Sequence, residues 1–263
     1  TFADGDDYYC DPQALARLAQ TAKEKNRDVL AFPCTAIGSE DQVGNFLHDA
    51  NRAAPQSIMT SSLQILQETF LTRRTPGWSL FSKVIRARLA KQILPCLPKD
   101  RINYAEDALL VFLLCFFSRD WEQACSLEPI YCYRMGVGIA NSPVTLERLL
   151  SRMRGNGQVI CLLQQFLTRQ GADRLFFQPV KAYRHRSAIA YSQQIGLLPS
   201  YEQPAALKEA LLWYDARAVR ASVRLAKLKQ AFLPVGLLIK KLFPYHTKRG
   251  RLLRRALRVL LSL

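Results

Sequence analysis

The hydrophobic positions of the first 135 residues follow two periods, one typical of helices and one typical of strands. Leu15, Leu18 and Ala22 recur at helical spacing behind Pro12, whose missing N–H costs little at a helix start. The run DVLAF at 28–32 is short and apolar, as in a buried strand. The start of the chain therefore predicts a strand end, an acidic loop, a helix and a second strand.

The same alternation of periods continues to residue 135. In chain order it predicts a surface loop at 35–56, a helix at 57–70, a strand leading into an amphipathic helix at 79–94, an apolar helix at 108–117 and a strand at 124–135. In the 79–94 segment we place Lys83 on the side that faces water. Glu106 and Asp107 fall in or just before the first turn of the apolar helix, where the helix dipole favours carboxylates.

Beyond Ser142 the pattern is almost entirely helical, with predicted helices at 143–170, 180–195, 203–231 and 248–262. Strands and helices that alternate and then give way to helices predict an α/β domain with a helical C-terminal extension. The boundaries we draw are a domain at 1–142, an extension at 143–235 and a tail at 236–263.

Composition is that of a folded protein, since 49% of the 263 residues are hydrophobic and 22% are charged. The longest apolar run, Ala108 to Phe117, is about half of the roughly 20 residues that a spanning helix needs. Charge is distributed unevenly around a net of +16: residues 1–50 hold nine acidic and four basic side chains, and residues 216–263 hold thirteen basic and no acidic ones. The basic end predicts a polyanionic partner, either nucleic acid or an anionic membrane.

The tail at 236–263 favours the membrane. From residue 251 onward leucines and Ala256 occupy one helical face, and four arginines occupy the other. A basic amphipathic helix of this kind lies in the membrane interface. A helix packed on the protein with a solvated basic face is the alternative. We expect no nucleic acid, because the apolar face is extensive and no aromatic stacking platform accompanies the charges.

Cysteine and histidine positions give no metal or redox pattern. The seven cysteines lack the close pairs of zinc and redox sites, so we expect reduced and mostly buried thiols. His48, His185 and His246 have no ligand spacing to one another, and we expect them to be surface residues or locally satisfied.

Two acidic segments carry the candidate chemistry. Asp4, Asp6 and Asp7 follow an apolar strand end, and three carboxylates this close repel one another unless a cation or hydrogen-bond donors compensate. A hard divalent metal fits oxygen ligands, and a solvated acidic turn is the alternative. Glu106 and Asp107 either cap a helix or supply the carboxylate base that would complete a site for displacing a metal-bound phosphate leaving group.

Three blocks of the sequence resemble family 2 glycosyltransferases in order and spacing. The segment TFADGDDYYCDPQALARLAQTAKEKNRDVLAF is similar to the family's strand with an FxDxDD motif, followed by a helix and a strand. The segment GWSLFSKVIRARLAKQILPCLPKDRINYAEDALLVFLL is similar to its Trp-containing strand, helix and ED motif. The segment LEPIYCYRMGVGIANS resembles the closing aromatic strand. The blocks cover residues 1 to about 142.

The resemblance implies a partial A-type glycosyltransferase fold, Rossmann-like, with a nucleotide-sugar donor and an inverting displacement. It implies that Asp4 and Asp6 form the DxD pair that holds Mn²⁺ or Mg²⁺ and the donor diphosphate, with Asp6 the more direct metal ligand. Asp7 would brace the loop. Asp107 would remove the proton from the acceptor hydroxyl, and Glu106 beside it would orient the site or contact the acceptor.

Two further residues have two interpretations each. Trp78 would lie near the donor sugar or the acceptor, or would serve packing. Arg134 would contact a phosphate, which suits its planar guanidinium, or would likewise serve packing. Some family members place a histidine ligand after the aromatic strand, but none occurs between Arg134 and Ser142.

The resemblance also shapes the functional prediction. The N-terminal half of the family's domain, with its base and ribose contacts, has no counterpart in these residues, so we expect them to be the C-terminal part of a longer enzyme. We predict a cytoplasmic enzyme, peripheral at the inner face of the cell membrane, that uses a UDP-sugar and extends a cell-surface glycan or lipid-linked acceptor. The alternatives are a non-catalytic membrane- or polyanion-binding module and another metal-dependent enzyme that handles phosphoryl groups.

Overall fold

The computed structural model describes residues 5, 7–38, 58–72, 79–124, 128–135 and 144–228. In these ranges strands and helices alternate up to residue 135, and only helices follow. In chain order the elements are β1 (Tyr8–Tyr9), α1 (Ala14–Lys25), β2 (Val29–Ala31), β3 (Cys34–Ile37), β4 (Ile58–Met59), α2 (Ser62–Gln67), β5 (Lys83–Ile85), α3 (Ala87–Ile93), α4 (Glu106–Phe117), β6 (Trp121–Gln123), β7 (Tyr131–Arg134), α5 (Leu146–Arg169), α6 (Phe177–Leu197), α7 (Gln203–Trp213) and α8 (216–228).

The described strands form two small sheets. One has the order β4-β6-β2-β5, in which β2 runs parallel to β6 and antiparallel to β5. The other has the order β1-β7-β3, in which β7 runs parallel to β3 and antiparallel to β1. The chain passes from β2 to β3 through Phe32 and Pro33. Because proline has no N–H to donate, the hydrogen bonds of β2 within the β4-β6-β2-β5 sheet end there. One continuous segment thus contributes a strand to each sheet.

Helix α4 is the core of the first compact unit. Seven of its residues are buried, which is the pattern of a helix that is apolar all round. The ring of Phe112 packs edge-on against Phe70 at 5.4 Å, and Phe116 packs edge-on against Phe166 at 4.9 Å. Only the first turn of α4 is polar and exposed, so the helix presents Glu106 and Asp107 at its N-terminal end.

The start of β2 is fixed by a buried carboxylate. Asp28 is 1% exposed and lies against three guanidinium groups, those of Arg86, Arg88 and Arg119. The Arg119 N–H also donates to Asp28 Oδ2 at 3.0 Å. Burial alone would raise the pKa of Asp28, but these donors and charges lower it below its ordinary value. The cluster joins the segments before β2, at α3 and before β6.

The chain divides into two compact units, Thr1–Pro143 with Gly155–Arg184, and Val144–Arg154 with His185–Leu263. The second unit is helical in its described part. Tyr191 and Tyr214 stack at 5.8 Å, and the Tyr214 hydroxyl donates to the carbonyl oxygen of Met153 at 3.5 Å. An ion pair of 3.0 Å joins Arg154 and Glu209. No described helix has the length and apolarity to cross a bilayer.

Two predictions from the periodicity and one about the cysteines are corrected by the structure. The predicted loop at 35–56 contains strand β3 at its start, and residues 39–57 lie outside the described ranges. The predicted single helix at 203–231 is two helices, α7 and α8, separated at Tyr214 and Asp215. Of the six described cysteines, all of them free, Cys10 and Cys161 are exposed rather than buried.

Candidate active site

Asp7 is anchored on strand β7. Its Oδ2 accepts a hydrogen bond of 2.8 Å from the Tyr131 hydroxyl, and its Oδ1 accepts one of 2.8 Å from the backbone N–H of Arg134. Both oxygens of the carboxylate are therefore occupied by donors from a single strand. This arrangement ties the end of the acidic segment to the β1-β7-β3 sheet, and it fits a bracing role better than a ligand role.

The two tyrosines of β7 extend this anchor into the core. Tyr131 and Tyr133 lie two residues apart and so share one face of the strand. The ring of Phe81 stacks on both, at 4.7 Å from Tyr131 and 5.4 Å from Tyr133, and the Tyr9 ring meets Tyr131 edge-on at 5.6 Å. Because its ring is clamped between these aromatic neighbours, Tyr131 presents its hydroxyl to Asp7 in a fixed position.

Arg134 ends strand β7 beside the acidic segment. Its side chain is exposed, and its guanidinium lies over the Tyr8 ring at 6.0 Å from the ring centre. A cation held over an aromatic face keeps its charge available to an anion on its outer side. The structure thus brings Arg134 next to Asp7, and its contact with phosphate stays a prediction.

The second carboxylate segment begins α4. Ala105, just before the helix, has a left-handed backbone with φ of 66° and ψ of 20°. Tyr104 before it is packed closely on α5, where a Cβ added to Gly155 would lie 2.9 Å from the Tyr104 Cβ and 3.0 Å from its carbonyl oxygen. Close packing on one side and the helix on the other determine where Glu106 and Asp107 emerge.

Lys83 was predicted to face water, and this prediction is wrong. Its side chain is fully buried, its Nζ donates to the Ser79 carbonyl oxygen, and Nζ lies 5.8 Å from the centre of the Trp121 ring. Burial lowers its pKa from 10.5 to about 8, although Cys115, Asp107 and Cys34 act in the opposite direction. The periodicity gave no signal of this burial, because Lys83 is the first residue of β5 and Phe81 and Ser82 before it form a turn.

The Lys83 amine is influenced by groups on both α4 and β3. It responds to the charge of Asp107 on α4 and to Cys34 at the start of β3. Cys34 in turn pairs in register with Tyr131, the residue that holds Asp7. Lys83 is therefore within electrostatic range of Asp107, and the Asp7 anchor and the start of α4 belong to the same compact unit.

The remaining predicted site residues, Asp4, Asp6 and Trp78, lie outside the described ranges. Within those ranges no three His, Cys, Asp or Glu side chains gather as ligands of a metal. Both Asp7 oxygens accept hydrogen bonds, and the metal role that the resemblance implies for Asp4 and Asp6 stays a prediction. Carboxylate oxygens are the ligand chemistry that Mg²⁺ and Mn²⁺ prefer.

Comparison with known proteins gives a coarse structural result. The sequence matches no family model and no curated protein. The solved structure of S. aureus TarS 1-349, a family 2-like glycosyltransferase, resembles this chain with a TM-score of 0.51 at 15% identity. The match covers 88% of this chain and 65% of that one. At this identity the likeness concerns the fold alone, and the chain is a mixed α/β protein whose fold is, coarsely, that of a glycosyltransferase.

Proposed function

We propose that the chain belongs to an inverting glycosyltransferase that moves a sugar from a nucleotide-sugar donor to an acceptor hydroxyl. What supports the proposal is a glycosyltransferase-like fold in which the Asp7 anchor on β7 and the exposed carboxylates at the start of α4 belong to the same compact unit. A donor diphosphate and an acceptor hydroxyl need two such groups, one to hold the leaving group and one to accept a proton.

Asp107 is the proposed general base. It is exposed at the first turn of α4, where an acceptor can reach it, whereas most of the helix behind it is buried. Its carboxylate takes the hydroxyl proton as the acceptor oxygen attacks the anomeric carbon. The bond from that carbon to the diphosphate oxygen breaks, and the nucleoside diphosphate leaves with the electron pair. Attack from the opposite face inverts the anomeric centre.

The other residues bind and orient. Arg134 binds donor phosphate, and Glu106 contacts or orients the acceptor. Trp78 would lie near the donor sugar or the acceptor. Mn²⁺ or Mg²⁺, held by Asp4 and Asp6, would neutralise charge on the diphosphate leaving group. A UDP-sugar is the proposed donor.

The proposed setting is the inner face of the cell membrane, in the synthesis of a cell-envelope polysaccharide. The acceptor would be a growing glycan on a lipid carrier, and the basic amphipathic tail predicted at 236–263, which lies outside the described ranges, would keep the protein on the membrane.

Asp107→Asn in the full-length protein tests the mechanism. We expect kcat for transfer to fall by about 10² to 10⁴, with the donor KM little changed, because the amide cannot accept the proton. Glu106→Gln is the matched control and should lower kcat less. Transfer by Asp107→Asn at the wild-type rate would contradict the proposal. Release of nucleotide or phosphate without a new glycosidic bond would indicate the phosphoryl-handling enzyme instead.

A further inference from the structure

Helix α8 carries a row of basic side chains on its outward face. Its buried side consists of Val219, Ser222 and Ala226, and Ala226 lies against Gly196, where an added Cβ would come within 3.1 Å. The opposite side is exposed and contains Arg217, Arg220, Arg224 and Lys227, which we call the basic row. At 100° per residue these four positions fall within about 80° of the helix circumference.

Carboxylates of the described residues do not neutralise the charges of the basic row. None of the carboxylates in the described ranges forms an ion pair with these four side chains, whereas Arg88 pairs with Asp28 and Arg154 pairs with Glu209. Asp215, the acid nearest in sequence, caps the helix by accepting the Ala218 N–H at 2.9 Å. The basic row therefore faces outward with its charge available to a partner.

The spacing makes the charges act together. A rise of 1.5 Å per residue puts the first and last of the four about 15 Å apart along the axis, and neighbours lie within about one Debye length at physiological salt. No acidic residue occurs between 216 and 263 in the sequence to oppose this field. An extended anionic surface can engage all four side chains at once, whereas a small anion can reach one or two.

Apolar groups on the same face distinguish a membrane from a nucleic acid. Leu228 is 56% exposed and, with Ala221, flanks the basic row on the same exposed side of the helix. Arginine and lysine stems with an exposed leucine suit a headgroup layer, in which the charged ends meet phosphate and the apolar atoms meet the acyl boundary. Among the residues that form the exposed face of α8 there is no aromatic ring on which a base would stack.

We propose that the outward face of α8 docks on an anionic phospholipid surface through the basic row. This deepens the membrane setting of the proposed function and rests on it, and it assigns the contact to a folded helix of the second unit in addition to the tail. The occupant is the anionic headgroup layer itself, recognised by charge and not by the shape of one lipid.

Vesicle sedimentation of the full chain tests the docking surface, with phosphatidylcholine vesicles that contain or lack phosphatidylserine. At about 1 kcal/mol per basic side chain, Arg220→Gln with Arg224→Gln should weaken partitioning to the anionic vesicles by roughly 30-fold. Arg169→Gln with Arg174→Gln, two exposed arginines outside the basic row, removes the same charge and should have a much smaller effect. Arg220→Lys with Arg224→Lys should bind as the wild type does.

Several results would overturn the docking proposal. Equal weakening of vesicle binding by the two pairs of glutamine substitutions would show that net charge alone drives binding. Unchanged binding by Arg220→Gln with Arg224→Gln would indicate that the tail makes the contact instead. Loss of binding in the lysine variant would show that the contact needs the guanidinium group and not charge alone. Tighter binding to an oligonucleotide than to the anionic vesicles would indicate a nucleic-acid surface. Because transfer to a water-soluble acceptor does not need the membrane, it separates failure of this proposal from failure of the proposed enzyme.

Discussion

Replacing the buried amine of Lys83 should change how stability depends on pH. The pKa of Lys83 is lowered from 10.5 to about 8, first by burial, and this difference corresponds to about 3 kcal/mol against folding at neutral pH. Lys83→Met removes the charge and keeps a side chain of similar length. The stability of the variant relative to the wild type should therefore be greater at neutral pH than under alkaline conditions.

The sign follows from proton binding. Between pH 8 and pH 10.5 the unfolded wild type holds the Lys83 proton and the folded protein has released it, so wild-type stability rises with pH. From pH 7 to pH 9.5 the gain is about 2 kcal/mol for a group that moves from 10.5 to about 8. The difference in unfolding free energy between Lys83→Met and wild type should shrink by that amount over the same interval.

Urea unfolding followed by tryptophan fluorescence measures this difference, and Trp121, one of the three tryptophans, lies beside the Lys83 amine. Taking the difference between two proteins cancels the titration of groups common to both. Lys91→Met removes an exposed amine from helix α3 and controls for the loss of one positive charge. A difference between Lys83→Met and wild type that is the same at both pH values would refute the reasoning.

Three further substitutions test the supports of the site. Gly155→Ala places a methyl group against Tyr104, so it should lower the free energy of unfolding by about 1 to 3 kcal/mol and lower the rate of sugar transfer. An unchanged melting temperature would contradict this close packing. Asp28→Asn leaves three guanidinium groups without their carboxylate and should cost about 3 kcal/mol. The contribution of Asp28 is complete above its ordinary pKa of 3.8 and is lost as the pH falls through its lowered pKa, so acid titration of stability should differ between wild type and variant. Tyr131→Phe removes the hydrogen bond to one oxygen of Asp7, and it should lower stability by about 1 kcal/mol and raise the donor KM. A donor KM equal to that of the wild type would show that the Asp7 anchor does not support donor binding.

Local patterns predicted the elements with strong periodicity. The helices α1 and α4 and strand β2 lie where the sequence predicts them. The prediction of a single helix at 203–231 overlooked a helix start. Asp215 is a typical N-cap residue, and its side chain caps α8. Strand β3 was missed because its residues are followed by a stretch rich in Gly, Ser and Asn, and its partner β7 lies far along the chain.

The sequence predicted only those parts of the candidate site whose positions depend on neighbouring residues in the chain. The acidic segments and the helix start at Glu106 follow from sequence, because a strand end and a first turn position side chains locally. The burial of Lys83 does not, because it depends on Trp121, Cys115 and Asp107, which reach it only when distant segments pack. The Asp7 anchor likewise needs Tyr131 from the other end of the domain.

The position of β2 between β5 and β6 has a consequence for how the first unit is assembled. Its neighbours, Lys83–Ile85 and Trp121–Gln123, are synthesised long after Val29–Ala31. Contacts this distant in sequence raise the entropic cost of closing the loop and slow folding. During synthesis on the ribosome we therefore expect β2 to remain an exposed apolar segment until β6 has emerged, a natural binding site for a chaperone on the nascent chain.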